Sequence, residues 1–231
     1  MTSEVQAAAR SPDAIEPQQP AITSPSLFAF GIFYGGMVVI AGVLANKQIE
    51  LGPLAVEAGI LAFLMLVVTS STIAELFGRP TANRLVLIGF VPLIASMLLA
   101  TLVLALPAAD EMDPARLAAF EMVMGATPRI WIAGIIAYGV SQFLNVTIFT
   151  RLKRESGRFL WLRAGVAGML SQIVDTFLFI GIAFYGVFPI LGLMLGQMLA
   201  KVVLSAVMVP PLIYLFVAIG RRLDERAGTV A

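Results

Sequence analysis

The chain has 231 residues, 59% of them hydrophobic and only 13% charged, with a formal net charge of +1. A soluble domain averages about 25% charged residues, so too few polar side chains are present to coat a water-facing globule. The near-zero charge argues against a nucleic-acid partner, and the absence of Cys and His removes disulfides, thiol nucleophiles, the commonest zinc ligands and the usual neutral-pH proton shuttle.

Residues 1–25 are rich in Ala, Pro, Gln and Ser and lack the basic-then-apolar order of a signal peptide. They are expected to form a disordered cytoplasmic tail. Uncharged apolar runs then recur, and about 20 apolar residues suffice to cross the hydrocarbon core as a helix. The first expected span is Leu27 to Ala45 and the second Leu54 to Leu76, with Glu57 and Glu75 near its ends. The third is Leu85 to Leu106, followed by the acidic segment Asp110, Glu111, Asp113. The fourth runs from Ile130 to Thr150, and the fifth from Leu160 to Phe184, containing Asp175. The last, Pro189 to Leu215, carries Lys201 and is expected to tilt or bend at Pro210-Pro211. The expected fold is thus all-α and integral to the membrane, with a six-helix domain over 26–220 and a basic cytoplasmic tail over 221–231.

Loop charges set the expected orientation. Arg79, Arg84, Arg151, Lys153, Arg154 and Arg158 fall on one side, with Arg221, Arg222 and Arg226 of the C-terminal tail and Arg10 of the N-terminal one. Only Lys47, Arg116 and Arg129 fall on the other. The Lys/Arg-rich side is the cytoplasmic one. Both termini are therefore expected inside, which requires an even number of spans; the expected location is the cell inner membrane.

Polar side chains at bilayer depth usually face the bundle interior and mark a pathway. Ser141-Gln142-x-x-Asn145 in the fourth span and Ser171-Gln172-x-x-Asp175 in the fifth repeat one pattern, each followed four residues later by Phe149 or Phe179. Gln and Asn or Asp three apart share a helix face. Two antiparallel neighbours could bring these faces together, and amides with a carboxylate suit a flat, hydrogen-bonding heterocycle. Interhelical amide pairing is the competing reading. Asp175 and Lys201 are the two charges nearest the membrane centre, and either neutralise each other or act on substrate or a proton. The run Thr69-Ser70-Ser71-Thr72 before Glu75 can bond back to its own helix carbonyls. Trp131 and Trp161 read as interfacial anchors. The pairs Gly31/Gly35, Gly165/Gly168 and Gly192/Gly196 read as sites of close helix packing. No P-loop, His-Glu-x-x-His or Gly-x-Ser-x-Gly motif is present. No catalytic residue, metal or cofactor is therefore expected, and the protein reads as a non-enzyme.

These residues resemble the YhhQ/VUT family of queuosine precursor transporters over nearly all of the membrane portion. The resemblance is carried by Ala45-Asn46-Lys47, Glu75-Leu76-Phe77-Gly78, the two Ser-Gln repeats with Phe149 and Phe179, Leu160-Trp161-Leu162-Arg163, and Lys201 with Pro211-x-x-Tyr214. It implies uptake of a 7-deazaguanine such as 7-cyano-7-deazaguanine (preQ0) for salvage into tRNA modification. It also implies substrate contacts at Gln142, Asn145, Gln172, Asp175, Lys201, Glu75 and Asn46. The chain departs from the family's common pattern at Ser71, Ala74 and Asn145, where acidic, polar and Asp residues are usual. Two alternatives stand beside this reading. One is a carrier of another purine-like or vitamin-like solute. The other is a substrate-binding subunit that works with a separate energising ATPase module. A homodimer is compatible with either, and a membrane enzyme or scaffold is the non-transport alternative.

Overall fold

A computed structural model describes residues 24–52, 54–125, 128–153, 159–187 and 189–228. The expected N-terminal tail lies outside them up to residue 23. At its edge Ser24 caps the first helix, α1 (Pro25–Leu44), by accepting from the Leu27 N–H, and Pro25 sits where a missing N–H costs nothing. Strands β1 (Gln48–Leu51) and β2 (Leu54–Glu57) follow as an antiparallel hairpin with Gln48 opposite Glu57. Then come α2 (Gly59–Ala105), α3 (Pro114–Met124), α4 (Pro128–Arg151), α5 (Leu160–Phe184) and α6 (Leu191–Arg226). All of these helices except α3 are long and apolar enough to cross a membrane. The chain is an all-α membrane protein apart from the small hairpin.

Helix α2 absorbs the expected second and third spans. Its 47 residues would extend about 70 Å if straight, more than twice the hydrocarbon thickness. It is broken at Gly78, whose φ of 82° and ψ of 168° are not helical. Contacts on either side of Gly78 run in opposite senses along α1. Gly59 abuts the Ala41 carbonyl so closely that a Cβ there would lie 2.6 Å from the oxygen. Leu76 and Phe30 flank Gly220 together, after which Gly89 packs on Tyr34 and Pro92 on Gly35. The chain therefore reverses at Gly78, with Pro80 disfavouring helix at the residue before it. This backbone region is essentially reserved for glycine. Gly78→Ala is expected to destabilise the protein by about 1–3 kcal/mol, read as a lower midpoint of thermal unfolding; an unchanged midpoint would show that the reversal does not depend on this residue.

Other expected boundaries shift. The first residues of the expected second span are strand β2, and helix begins only at Gly59. At the other end, α6 continues past Leu215 through Arg221 and Arg222 to Arg226, with Pro210 and Pro211 inside it. Pro210 packs against Gly165 of α5, 3.7 Å from where a Cβ would stand. Gly168 meets Val67, Val209 and Ser205 within 3.8 Å, so the close-packing reading holds for Gly165 and Gly168. It fails at Gly31, Gly192 and Gly196, where a Cβ would meet nothing within 4 Å, whereas Gly35 meets Pro92 at 3.7 Å. The far end of α6 is tied to the start of α1. Asp224 accepts from Ser24 Oγ at 2.6 Å, Ser26 Oγ at 2.7 Å and the Ser26 N–H at 3.0 Å. Helix α3, in the stretch after the expected third span, is capped by Asp113, which accepts from the Arg116 N–H at 2.9 Å.

The buried core runs through the bundle axis and includes Tyr34, Leu64, Val67, Val86, Phe149, Ala164, Val209 and Ile213. Outward positions such as Ile88, Leu98, Leu195 and Val207 remain exposed. That distribution suits a lipid solvent, in which small residues and internal polar contacts, rather than apolar burial alone, hold helices together.

Candidate substrate cavity

A cavity of about 490 Å³ opens among α1, both halves of α2, α4, α5 and α6, within the range of about 300–1,000 Å³ typical of small-molecule sites. Its aromatic surface comes from Phe63, Trp131, Tyr138, Phe179 and Phe184, and its polar surface includes Asn46, Glu57, Asp175 and Lys201. The lining residues of α1, α4 and α5 all come from the end of the bundle that carries the hairpin, and α3 contributes Met122 and Met124 there. No residue near Gly78, Arg151 or Arg163, at the opposite end, lines it. The cavity thus lies in the half of the bundle nearer the hairpin.

Asp175 and Lys201 form a buried ion pair, with Lys201 Nζ donating to Asp175 Oδ2 at 3.1 Å. The Ser141 hydroxyl lies 3.4 Å from the other carboxylate oxygen. This bond is where the two Ser-Gln repeats meet: the first residue of one touches the last of the other, as antiparallel neighbours allow. The amides do not follow. Gln142 accepts from Ser70 Oγ at 3.1 Å and Tyr34 Oη at 3.5 Å. Asn145 Nδ2 lies 3.0 Å from Ser71 Oγ, 3.1 Å from Ser70 Oγ and 3.3 Å from the Val67 carbonyl. Both therefore turn towards α2, and the hydroxyl run there is shared between two roles. Thr69 and Thr72 bond back to the Met65 and Val68 carbonyls, Ser71 meets the Asn145 amide, and Ser70 does both, with the Val67 carbonyl at 3.2 Å and the amides of Gln142 and Asn145 beside it.

Tyr138 links this layer to the cavity. Its hydroxyl lies 2.9 Å from the Val86 carbonyl and 3.1 Å from Tyr34 Oη. Beneath the cavity several buried polar atoms have no hydrogen-bond partner among the described residues: Gln142 Nε2, Asn145 Oδ1, both amide atoms of Gln172, and Ser205 Oγ. Unpaired amides at such depth are costly, and their gathering in one layer is a mark of a functional region rather than of packing alone.

Of the remaining expected site residues, Asn46 also lines the cavity, and its Nδ2 donates to the Gly42 and Val43 carbonyls at the end of α1. Glu75 lies at the opposite end of the bundle, outside the cavity. It accepts from Arg163 Nη2 at 3.0 Å and sits 3.6 Å from Lys153 Nζ. The Arg163 guanidinium is buried over the Phe149 ring, 4.8 Å from its centroid.

The sequence reading missed Glu57 and gave Trp131 only an anchoring role. Glu57 ends β2 and lines the cavity, with Gln197 of α6 nearby. Burial raises its pKa. The nearby Lys201 charge and the Gln197 hydrogen bond act in the opposite direction, and Asp175 adds to the rise. The signal for the hairpin was present: Gly52-Pro53 between two short segments is a turn, and Gly52 takes a φ of 61°.

Apolar helices packed around a cavity with aromatic walls and a charged floor are those of a multi-pass membrane protein with room for a small molecule. Residues 57–216 match the family model described as "Putative vitamin uptake transporter", and the chain belongs to that family of transporters. It is 28% identical over 185 residues to the "Probable queuosine precursor transporter" of Bacillus subtilis (strain 168), covering 78% of this chain and 80% of the relative. It is 25% identical over 161 residues to the "Queuosine precursor transporter" of Escherichia coli (strain K12), covering 69% of each. No solved structure matches the chain.

Proposed function

We propose that this protein takes up a queuosine precursor, a 7-deazaguanine such as preQ0, across the inner membrane for salvage into tRNA modification. The observation that carries the reading is the cavity itself. Aromatic walls at Trp131, Tyr138 and Phe179 suit a planar ring, and Asp175, Lys201 and Asn46 supply polar contacts around it. The names of the two relatives support the same substrate class. Gln142, Asn145 and Gln172, in the layer below, would receive the base as it moves inwards, and Glu75 lies at the exit.

Six spans with both termini inside follow if α2 counts twice, divided at Gly78. The loop charges support this arrangement. Arg79 bonds Thr147 and Lys153 lies beside Glu75 at one end, whereas Arg129 donates to the Ile182 and Tyr185 carbonyls at the other. The cavity then lies in the half of the bundle away from the cytoplasm, where a solute taken up from outside would first bind.

The test is salvage in cells. A strain unable to make the precursor, supplied with scarce preQ0, is expected to contain queuosine in its tRNA only when this protein is present. Normal tRNA queuosine in the deletion strain would refute the proposal.

A further inference from the structure

We propose that Glu57 and Lys201 together read the hydrogen-bonding edge of the substrate base, Glu57 taking its two N–H groups and Lys201 its carbonyl oxygen. The inference rests on the substrate class proposed above and adds the residues that select within it.

The placement comes from two elements that converge on one cavity. Glu57 is the last residue of β2, and Lys201 enters from α6. Gln197, one helical turn before Lys201, lies near the Glu57 carboxylate and favours its charged form. The charge count matters. Lys201 is paired with Asp175 at 3.1 Å, whereas Glu57 has no ion-pair partner among the described residues. A carboxylate that faces an aromatic cavity, near the Lys201 charge but in no ion pair of its own, has spare acceptor capacity.

A 2-amino-4-oxopyrimidine edge presents, in order, a carbonyl acceptor, a ring N–H donor and an amino donor. A carboxylate matches the two adjacent donors with two parallel hydrogen bonds, as it does with guanidinium, and an ammonium matches the carbonyl. Hypoxanthine-type rings lack the amino donor. Adenine-type rings place a lone pair where the ring N–H should be, against the carboxylate. A site built for a donor rejects the analogue without it more strongly than an apolar pocket rejects a missing methylene, because its own buried group is left unpaired. The ionised form of Glu57 is the one that accepts both bonds. Because burial raises its pKa, acidification should protonate it at a higher pH than an ordinary glutamate and weaken binding of the amino-bearing base.

The test uses the purified full-length protein in nanodiscs and equilibrium binding of 7-deazaguanine and 7-deazahypoxanthine. The wild type is expected to prefer 7-deazaguanine by at least tenfold, and to lose that preference as the pH falls, with 7-deazahypoxanthine affinity changing little. Glu57→Gln is expected to bind the two compounds nearly equally, and Glu57→Asp to keep a reduced preference. Wild-type discrimination in a folded Glu57→Gln protein, or a pH-independent preference in the wild type, would overturn the assignment while leaving the transport reading intact. Failure of the wild type to bind either compound would instead remove the substrate class, and this inference with it.

Discussion

Asp175→Ala is expected to lower stability by about 3–5 kcal/mol and to abolish uptake, whereas the double variant Asp175→Asn/Lys201→Met should regain most of the stability and none of the uptake. The two effects separate because they have different causes. Asp175 and Lys201 side chains are 8% and 9% exposed, and removing the carboxylate alone strands an ammonium in a low-dielectric interior. Replacing both charges by neutral groups of similar size removes the penalty along with the attraction, which for buried pairs is often near neutral. What cannot be restored in this way is a charged floor to the cavity. Thermal unfolding of the purified variants, set beside uptake of labelled preQ0, checks both halves. A double variant that transports like the wild type would reduce the pair to a structural element.

Loss of Glu75 should have the second largest effect, and of a different kind. Glu75→Gln is expected to destabilise by about 3 kcal/mol, and to reduce uptake without weakening equilibrium binding at the cavity. Arg163 is 3% exposed, and its Nε and Nη1 find no partner among the described residues, so Glu75 provides its ion pair. Lys153, half exposed and 3.6 Å away, is the control: exposed pairs contribute about 0–1 kcal/mol, and Lys153→Ala should be nearly silent. Because the Glu75–Arg163 pair joins α2 to α5 away from the cavity, its loss is expected to affect uptake without affecting binding. Thermal unfolding combined with separate binding and uptake measurements distinguishes the two. Binding that weakens in parallel with uptake would return Glu75 to the substrate site.

Much of the architecture was legible without coordinates. Membrane class, the approximate positions of the long helices and the sorting of loop charges all follow from hydropathy, which is local and additive along the chain. The Ser-Gln repeats correctly marked α4 and α5 as the helices that carry polar groups into the core, and they located Asp175. Lys201 followed from the rarity of charge at bilayer depth.

Other features could not be read in this way. A helical period says which residues share a face and nothing about which neighbour that face will meet. Gln142 and Asn145 turn to Ser70 and Ser71 of α2, a choice made by the rotation of α4 in its packing. Glu75 and Arg163 lie 88 positions apart and meet only because α2 and α5 end together. Glu57 looked like a charge at a helix end until the hairpin aimed it into the cavity. The sequence by itself determined that these helices belong in a bilayer and which end of each is basic, because transfer free energy depends on side chains taken one segment at a time. Only the tertiary structure decided which polar groups meet one another and which are left facing a ligand, because that depends on the relative rotation and depth of packed helices.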